Sequence, residues 1–258
     1  MAAPKELLMI ETPEGDRFNP RQLARLAGMF ALIGIAAGAF DIGYVRGTLT
    51  VVGDPAATVH NILAHPTLFR AGFAAHLLLL LCNVPNEILL FLLLRRVNGV
   101  VTAIAMACGL IGTAIESLNL LNNYVPLLLA AQAHALAAFN PAQLQALSYT
   151  AVQLQDAGLL LSFLFYGLDE VLSGLMIFRS RFLPRILGIL LSLAGLCYFT
   201  DGFLSFLAPA LINRLYPYIL YPCFPGEFSI ALWMAIVGLN VSKWRAWNST
   251  ATLHADGL

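Results

Sequence analysis

The chain has 258 residues, of which 59% are hydrophobic and only 11% are charged. Ordinary soluble domains carry roughly 25% charged residues, so a water-soluble protein of this size could not bury so much apolar surface. Lysine plus arginine equals aspartate plus glutamate at 14 each, which leaves no net basic field to attract nucleic acid. The composition therefore indicates a membrane protein and disfavours nucleic-acid binding.

Six apolar stretches are long enough to cross a bilayer, whose hydrocarbon core of about 30 Å needs about 20 helical residues. They cover residues 23–45, 70–94, 98–128, 150–178, 183–208 and 219–242. The sequence therefore predicts an all-α integral membrane bundle of six transmembrane helices. We expect a cytoplasmic segment at 1–22, the membrane domain at 23–242 and a cytoplasmic tail at 243–258.

The basic residues predict the orientation, because cytoplasmic loops of membrane proteins carry an excess of lysine and arginine. If the N-terminus is inside, eleven of the fourteen basic residues fall in cytoplasmic segments. Only Arg46, Arg70 and Arg214 fall in outer ones. We therefore expect both termini in the cytoplasm, with the bilayer as the main partner.

Two outer segments carry signals for the start of a helix. Asp54 precedes Pro55, which is typical of an N-cap followed by proline at the first helical position. Asn140 and Gln143 have the spacing of a capping box. We expect a short helix on the outer surface from Pro55, and a fourth membrane helix that begins well before its hydrocarbon portion.

Eight carboxylates lie within or at the ends of the predicted spans, whereas no lysine or arginine lies deep inside one. They are Asp41, Glu87, Glu116, Asp156, Asp169, Glu170, Asp201 and Glu227. A charged aspartate at mid-membrane costs about 2.5 to 3.5 kcal/mol on insertion scales. These side chains should therefore face the bundle interior, keep a proton, or have partners.

Counting the helical rise from the cytoplasmic basic residues predicts an outer tier of acids. Asp41, Asp201 and Glu227 each lie sixteen residues from such a residue, about 24 Å above the inner boundary. Other polar residues come out somewhat higher. The predicted ligand-binding residues are Asp41, Glu116, Asn119, Asp156, Asp201 and Glu227. Since like charges in a confined site cannot all ionise, at least one acid should hold a proton near neutral pH.

A smaller inner tier consists of Glu87, Asp169 and Glu170, about 12 to 15 Å from the inner boundary. The sequence offers no polar path between the two tiers. His76 is interpreted as an interfacial histidine. Arg46 is expected to extend to lipid headgroups rather than to pair with Asp41. The alternative to a ligand site is that each acid hydrogen bonds a neighbouring helix and only stabilises the bundle.

Motifs for metal, nucleotide or covalent chemistry are missing from the sequence. The four cysteines have no metal-ligand spacing and are interpreted as packing residues. There is no glycine-rich phosphate loop, no histidine metal motif and no nucleophile elbow. We therefore expect no metal and no cofactor, and we assign no catalytic residue.

Four groups of residues form a pattern that spans nearly the whole chain, from about 21 to 240. They are 53–63 with 68–70; 139–147; 178–180 and 184–188 with Ala194, Gly195, Tyr198 and Asp201; and Glu227 with 231–233 and Gly238. This pattern resembles an uncharacterised bacterial family of multi-pass membrane proteins, domain of unknown function 4386. The resemblance implies the six-helix layout and a location in the bacterial cytoplasmic membrane, and it transfers no activity or catalytic residue.

Three functions remain open. The first is binding or transport of a small cation or amphiphile in an acidic intramembrane cavity, by a bundle that could form a homo-oligomer. The second is an intramembrane enzyme that uses a protonated carboxylic acid on a lipid or isoprenoid, with Tyr198, Phe199, Phe203 and Phe206 shielding a cationic intermediate. The third is a structural membrane subunit without a small ligand.

Overall fold

The structure, a computed structural model, describes residues 19–131 and 138–246, and these are almost entirely helical and contain no strand. In chain order the helices are α1 (Pro20–Leu49), α2 (Pro55–Ala64), α3 (Pro66–Leu94), α4 (Gly99–Ala131), α5 (Pro141–Ser180), α6 (Arg185–Leu207), α7 (Pro209–Leu215) and α8 (Cys223–Ile236). Most of the predicted terminal segments, with Lys5 and Arg17, lies outside the described residues.

Six segments are long and apolar enough to cross a membrane: α1, α3, α4, α5, α6 and a last span, Tyr218–Ile236, that includes α8. Large apolar side chains cover their outer surface, such as Leu81 and Leu118, which are 71% and 73% exposed. The bilayer is the environment in which such a surface is stable. The predicted six-helix, multi-pass membrane bundle is confirmed.

The predicted helix starts at Asp54 and Asn140 are confirmed. The Asp54 side chain accepts a hydrogen bond from the Ala57 amide, 2.9 Å away, at the start of α2. Asn140 and Gln143 form a full capping box, with both reciprocal bonds at 2.9 Å. Since α5 begins there, at Pro141, it runs for 40 residues and extends beyond its apolar portion.

Close helix packing positions the interior of the bundle. The most extensive contacts join α5 to α6, α4 to α5, and α1 to α3 and α8. The backbones of α5 and α6 nearly touch, because a Cβ added at Gly188 would lie 2.5 Å from the Gly174 carbonyl oxygen. Small residues that allow such close approach are typical of helix interfaces in membranes.

One end of the bundle, the basic end, gathers the start of α1 and the ends of α3 and α8. Arg21 and Arg25 donate hydrogen bonds to the carbonyls of Val237 and Ile236, at 3.2 and 3.1 Å. The Arg96 guanidinium lies 4.9 Å from the centre of the Trp244 ring. The larger hydrophobic core fills this end, whereas Arg46 lies towards the opposite end of α1.

The last span ends earlier than predicted, at Ile236 rather than at residue 242. Gly238 then adopts a positive φ of 77°, and Asn240 caps a separate helical segment at 241–246. The sequence favours a continuous helix here, because Val237, Leu239 and Val241 are also apolar. A depth counted back from Lys243 assumes that the helix continues to residue 242. It therefore places Glu227 about 10 Å too far from the basic end, which is the rise over the seven residues from Ile236 to Lys243.

Candidate functional site

All eight intramembrane acids line a single cavity of about 770 Å³. Its lining residues, all within the described part of the chain, include one arginine, Arg46, and no lysine. Asp156, whose side chain is 58% exposed, marks the mouth of the cavity. At the far end the cavity is bounded by Leu191, Ile230 and Met234, which belong to the hydrophobic core near the basic end.

The end of α1 nearest the mouth is wound as a π-helix, Ala39–Arg46. On a regular α-helix, residues five apart point about 140° away from each other. The i to i+5 hydrogen bonding of a π-helix instead brings them to one face. Arg46 Nε therefore donates to Asp41 Oδ2 at 3.1 Å, and Arg46 is only 14% exposed. The expectation that Arg46 extends to headgroups is wrong.

Helix α3 places His76 in full burial between two carboxylates. Its Nδ1 lies 2.8 Å from Asp41 Oδ2, and its Nε2 lies 2.9 Å from Glu116 Oε1. One turn earlier, Gly72 leaves room for this contact, because a Cβ there would lie 2.7 Å from Asp41 Oδ1. The interpretation of His76 as an interfacial histidine is wrong, since it connects α1 and α4 inside the bundle.

Glu116 continues the network into α5. The Tyr166 hydroxyl donates to Glu116 Oε2 at 2.8 Å and lies 3.3 Å from Thr113 Oγ1. Asn83 Nδ2 approaches the same hydroxyl at 3.5 Å. Four helices thus contribute to one chain of polar contacts.

We call Asp41, Arg46, His76 and Glu116 the paired cluster, because their charges can balance. A hydrogen bond at each ring nitrogen of His76 requires a proton between that nitrogen and its carboxylate. The two carboxylates and the imidazole then share two protons and carry a net charge of −1, which the guanidinium neutralises. A buried network of charges is stable when its members are paired and hydrogen-bonded in this way.

A second set of acids lies deeper, and we call Glu87, Asp169, Glu170 and Glu227 the acid group. The carboxyl groups of Glu87 and Asp169 are close electrostatic neighbours, and Ser173 Oγ donates to Asp169 Oδ1 at 3.0 Å. Two buried carboxyl groups so close together cannot both ionise, so one of them holds a proton. Glu87 packs tightly against α4, where a Cβ added at Gly109 would lie 2.5 Å from its Cδ.

Glu170 and Glu227 complete the acid group from α5 and α8. They are electrostatic neighbours, and Tyr198 on α6 lies beside Glu227. Glu170 Oε2 and Glu227 Oε1 are inaccessible to solvent, and neither hydrogen bonds any described residue. Glu227 thus belongs with the predicted inner tier, and its placement beside Asp41 and Asp201 is corrected by the earlier end of α8.

Comparison with known proteins identifies a family. Residues 26–238 match the family described as domain of unknown function (DUF4386). The chain belongs to this family. The matched residues contain the paired cluster and the acid group, so both lie within the family's domain.

One curated relative of this DUF4386 member is an uncharacterized protein of Archaeoglobus fulgidus, 29% identical over 83 residues. The match covers 32% of this chain and 48% of that protein, so the chain spans about half of its relative's length. No solved structure matches the chain.

Five of the six predicted ligand-binding residues of this DUF4386 member line the cavity: Asp41, Glu116, Asp156, Asp201 and Glu227. Asn119 does not. Its amide points to the backbone of α5 and donates to the Gln155 carbonyl at 2.6 Å. Asp201 faces the cavity with one buried oxygen, Oδ2, that has no hydrogen-bond partner among the described residues.

The two predicted tiers are joined, contrary to the expectation of no polar path. Asn83 lies one helical turn from Glu87 on α3, and Tyr166 lies three residues from Asp169 on α5, and all four line the same cavity. Part of this connection could be predicted from the sequence, since Asn83 and Glu87 are four residues apart and therefore share a helix face.

The aromatic residues around the acids differ from those predicted. Tyr198 lines the cavity, while Phe203 and Phe206 are 46% and 50% exposed on the outside of the bundle. Phe199 stacks on Phe203 instead of facing the cavity. Helical periodicity explains the difference, because Phe199, Phe203 and Phe206 share one helix face, and Tyr198 points about 100° away from Phe199.

Metal ligands do not converge in the part of the chain that the structure describes, where no group of three or more histidine, cysteine, aspartate or glutamate residues is arranged to hold an ion. All four cysteines are free, and three of them are buried.

Proposed function

We propose that the protein binds a small organic cation, or the cationic headgroup of an amphiphile, in the cavity as the loading step of transport. The observation that carries this proposal is the charge of the lining: eight acids and one arginine. Because the paired cluster uses the arginine and two of the acids, the acid group has no basic partner among the described lining residues. A cation is the natural counter-ion for such a set of carboxyls.

The size and the walls of the cavity support an organic ligand. A volume of about 770 Å³ is in the range of pockets for drug-sized molecules, roughly 300–1,000 Å³. Most of its lining residues are apolar, including Leu160, Phe163, Phe224 and Ile230. Such walls favour an ion with apolar substituents over a strongly hydrated inorganic ion.

The orientation is part of the same proposal: both termini in the cytoplasm and the cavity mouth facing outward from a bacterial cytoplasmic membrane. The basic end, with Arg21, Arg25 and Arg96, supports a cytoplasmic side. Single cysteines introduced at Val52 and at Arg96 test it in intact cells. Labelling by a membrane-impermeant maleimide is expected at residue 52 alone, and labelling at residue 96 alone would reverse the orientation.

The proposed cation binding is tested by comparing two ions that have the same shape and opposite charge. We would titrate the protein in nanodiscs with tetraphenylphosphonium and with tetraphenylborate, which share a shape and differ in sign, using empty nanodiscs as the control. The cation is expected to stabilise the fold by about 2.7 kcal/mol at 100 times its Kd, and the anion is not. Equal effects of the two ions, or none, would overturn the proposal.

Uptake tests the transport step separately. Tetraethylammonium crosses lipid bilayers slowly because of its permanent charge, so proteoliposomes can reveal a carrier. We expect uptake that exceeds uptake by protein-free vesicles and that tetraphenylphosphonium inhibits. Binding without uptake would restrict the function to cation binding.

An intramembrane enzyme is the second candidate, favoured by the aromatic rings beside the acids. Phe163 and Tyr198 line the cavity with their ring centres 4.6 Å apart, next to Glu227. Aromatic faces stabilise cations, including carbocation intermediates. Native mass spectrometry after gentle extraction distinguishes the two, since a retained isoprenoid or lipid that the protein converts to a second mass favours the enzyme.

A further inference from the structure

We propose that Asp41, His76, Glu116 and Tyr166 form a proton relay that connects the mouth of the cavity with the wall beside the acid group. The coupling of the relay to a bound cation rests on the proposed function, whereas proton transfer along the relay is independent of it. The relay makes the protein a proton exchanger, which releases a proton when a cation is bound.

The relay is continuous in the structure. At the mouth, Arg46 holds Asp41 in place without carrying a proton itself, since its Nε lies 3.1 Å from Asp41 and its Nη1 lies 3.5 Å from the exposed Asp156. From Asp41 the contacts pass through both nitrogens of His76, at 2.8 and 2.9 Å, to Glu116. The Tyr166 hydroxyl, 2.8 Å from Glu116 Oε2, continues the chain. Every heavy-atom distance from Asp41 to Tyr166 is short enough for a hydrogen bond.

A proton can cross the imidazole without changing the net charge of the paired cluster. In one transfer, the Nδ1–H bond breaks and an O–H bond forms at Asp41 Oδ2, while Nε2 takes the proton of Glu116 Oε1. One N–H and one O–H bond break, and one of each forms. Because a buried site disfavours any change of charge, a transfer that keeps the charge constant has the lower barrier.

The surroundings of His76 hold this proton without fixing it on one atom. Facing the ring are Asp41 and Arg46 from α1, Glu116 from α4 and, through Glu116, Tyr166 from α5. The carboxylates favour a charged ring. The guanidinium, 3.3 Å from Nδ1, opposes it. His76 is therefore balanced between its two neighbours rather than locked in a single ion pair.

The inner end of the relay lies next to the acid group. Tyr166 precedes Asp169 by three residues on α5, which places the two side chains on one helix face, about one turn apart. Asn83, which contacts the Tyr166 hydroxyl, precedes Glu87 by four residues on α3. A gap of one helical turn is short enough for a single water molecule to bridge.

The coupling follows from charge. A cation that enters the acid group favours ionised carboxyls there, so a proton held by Glu87 and Asp169 must leave. The relay provides a hydrogen-bonded exit through Tyr166, Glu116 and His76 to Asp41, which itself lines the cavity near its mouth. We therefore expect about one proton to be released for each bound cation.

Calorimetry tests the coupling. Binding of tetraphenylphosphonium would be measured in nanodiscs at one pH in two buffers that differ in ionisation enthalpy, which gives the number of protons released. We expect about one proton per bound cation in the wild type. The control variant His65→Gln, which changes the exposed histidine at the start of α3, should release the same number. With His76→Gln we expect cation binding within about threefold of wild type and the same number of protons, released at least about tenfold more slowly when a pH-indicator dye follows the release after rapid mixing. Binding without proton release in the wild type would overturn the relay and leave the proposed function intact.

If the cation does not bind, the proposed function fails. A second measurement then tests the relay on its own. The chain has five histidines, so ¹⁵N-histidine NMR of the ligand-free protein can resolve His76, assigned by its absence in His76→Gln. We expect both ring nitrogens to be hydrogen-bonded to shared protons, and one fixed tautomer in Glu116→Gln. A single fixed neutral tautomer in the wild type would contradict the relay.

Discussion

The paired cluster and the acid group both contain buried carboxyl groups that line one cavity, yet the environments of those carboxyl groups differ. In the paired cluster, Asp41 has a guanidinium at 3.1 Å and an imidazole at 2.8 Å. In the acid group, Glu170 Oε2 and Glu227 Oε1 have no hydrogen-bond partner among the described residues. Removing one partner of a paired buried carboxylate is costly, whereas a buried carboxylate without partners itself costs stability, which agrees with the binding role proposed for the acid group. The following predictions test that division.

The largest effect is expected for Asp41→Asn, which breaks the paired cluster. Removing one charge of a buried network leaves the others uncompensated, and the cost is about 3–5 kcal/mol in the free energy of unfolding. Equilibrium unfolding in mixed micelles measures it. Asp54→Asn is the matched control, because asparagine caps a helix about as well as aspartate, and its stability should equal that of the wild type. A loss below about 1 kcal/mol for Asp41→Asn would mean that the pairing contributes little.

A smaller loss is expected for Gly109→Ala, which disturbs the acid group through packing. The added methyl would lie 2.5 Å from the Glu87 Cδ, and overpacking of this kind typically costs about 1–3 kcal/mol. Gly47→Ala is the control, since a Cβ there meets no atom within 4 Å. Equal unfolding free energies of the two variants would show that Glu87 moves aside without cost.

The sign of the effect should reverse at Glu227. Glu227→Gln removes a carboxyl that has no basic neighbour, so we expect unchanged stability or a gain of up to about 1 kcal/mol. The same change at Glu116, inside the paired cluster, should cost about 1–3 kcal/mol. Thermal unfolding in nanodiscs compares the two, and a loss at Glu227 as large as that at Glu116 would remove the distinction between the regions.

The smallest effect is expected at the mouth. Asp156 is 58% exposed and lies 3.5 Å from Arg46, and exposed ion pairs contribute about 0–1 kcal/mol. Asp156→Asn should therefore leave the unfolding free energy within about 0.5 kcal/mol of wild type. A larger loss would make Asp156 a full member of the paired cluster.

Much of the fold could be predicted from the sequence, because apolar length and helix caps are local signals. Asp54 and Asn140 begin helices as expected, and the acids point inward because hydrocarbon excludes charge. The end of α8 could not be read from apolar length alone, since the residues after Ile236 are also apolar. The turn at Gly238 separates them from the span.

The pairing of Arg46 with Asp41 could not be predicted, because it depends on a π-helical segment that sequence periodicity does not reveal. The burial of His76 depends on Gly72, which lets α1 approach α3. Counting residues along single helices gave approximate depths, but only the packing of α3, α4 and α5 could show that Asn83 and Tyr166 join the two predicted tiers.

The most direct test of the division between the two regions is the affinity for tetraphenylphosphonium of the double variant Glu170→Gln/Glu227→Gln in nanodiscs, measured beside its unfolding free energy. We predict at least about tenfold weaker binding, which is about 1.4 kcal/mol, with stability equal to or above that of the wild type. A double variant that binds the cation as tightly as the wild type, or that loses stability as Asp41→Asn does, would contradict the assignment of the acid group to cation binding.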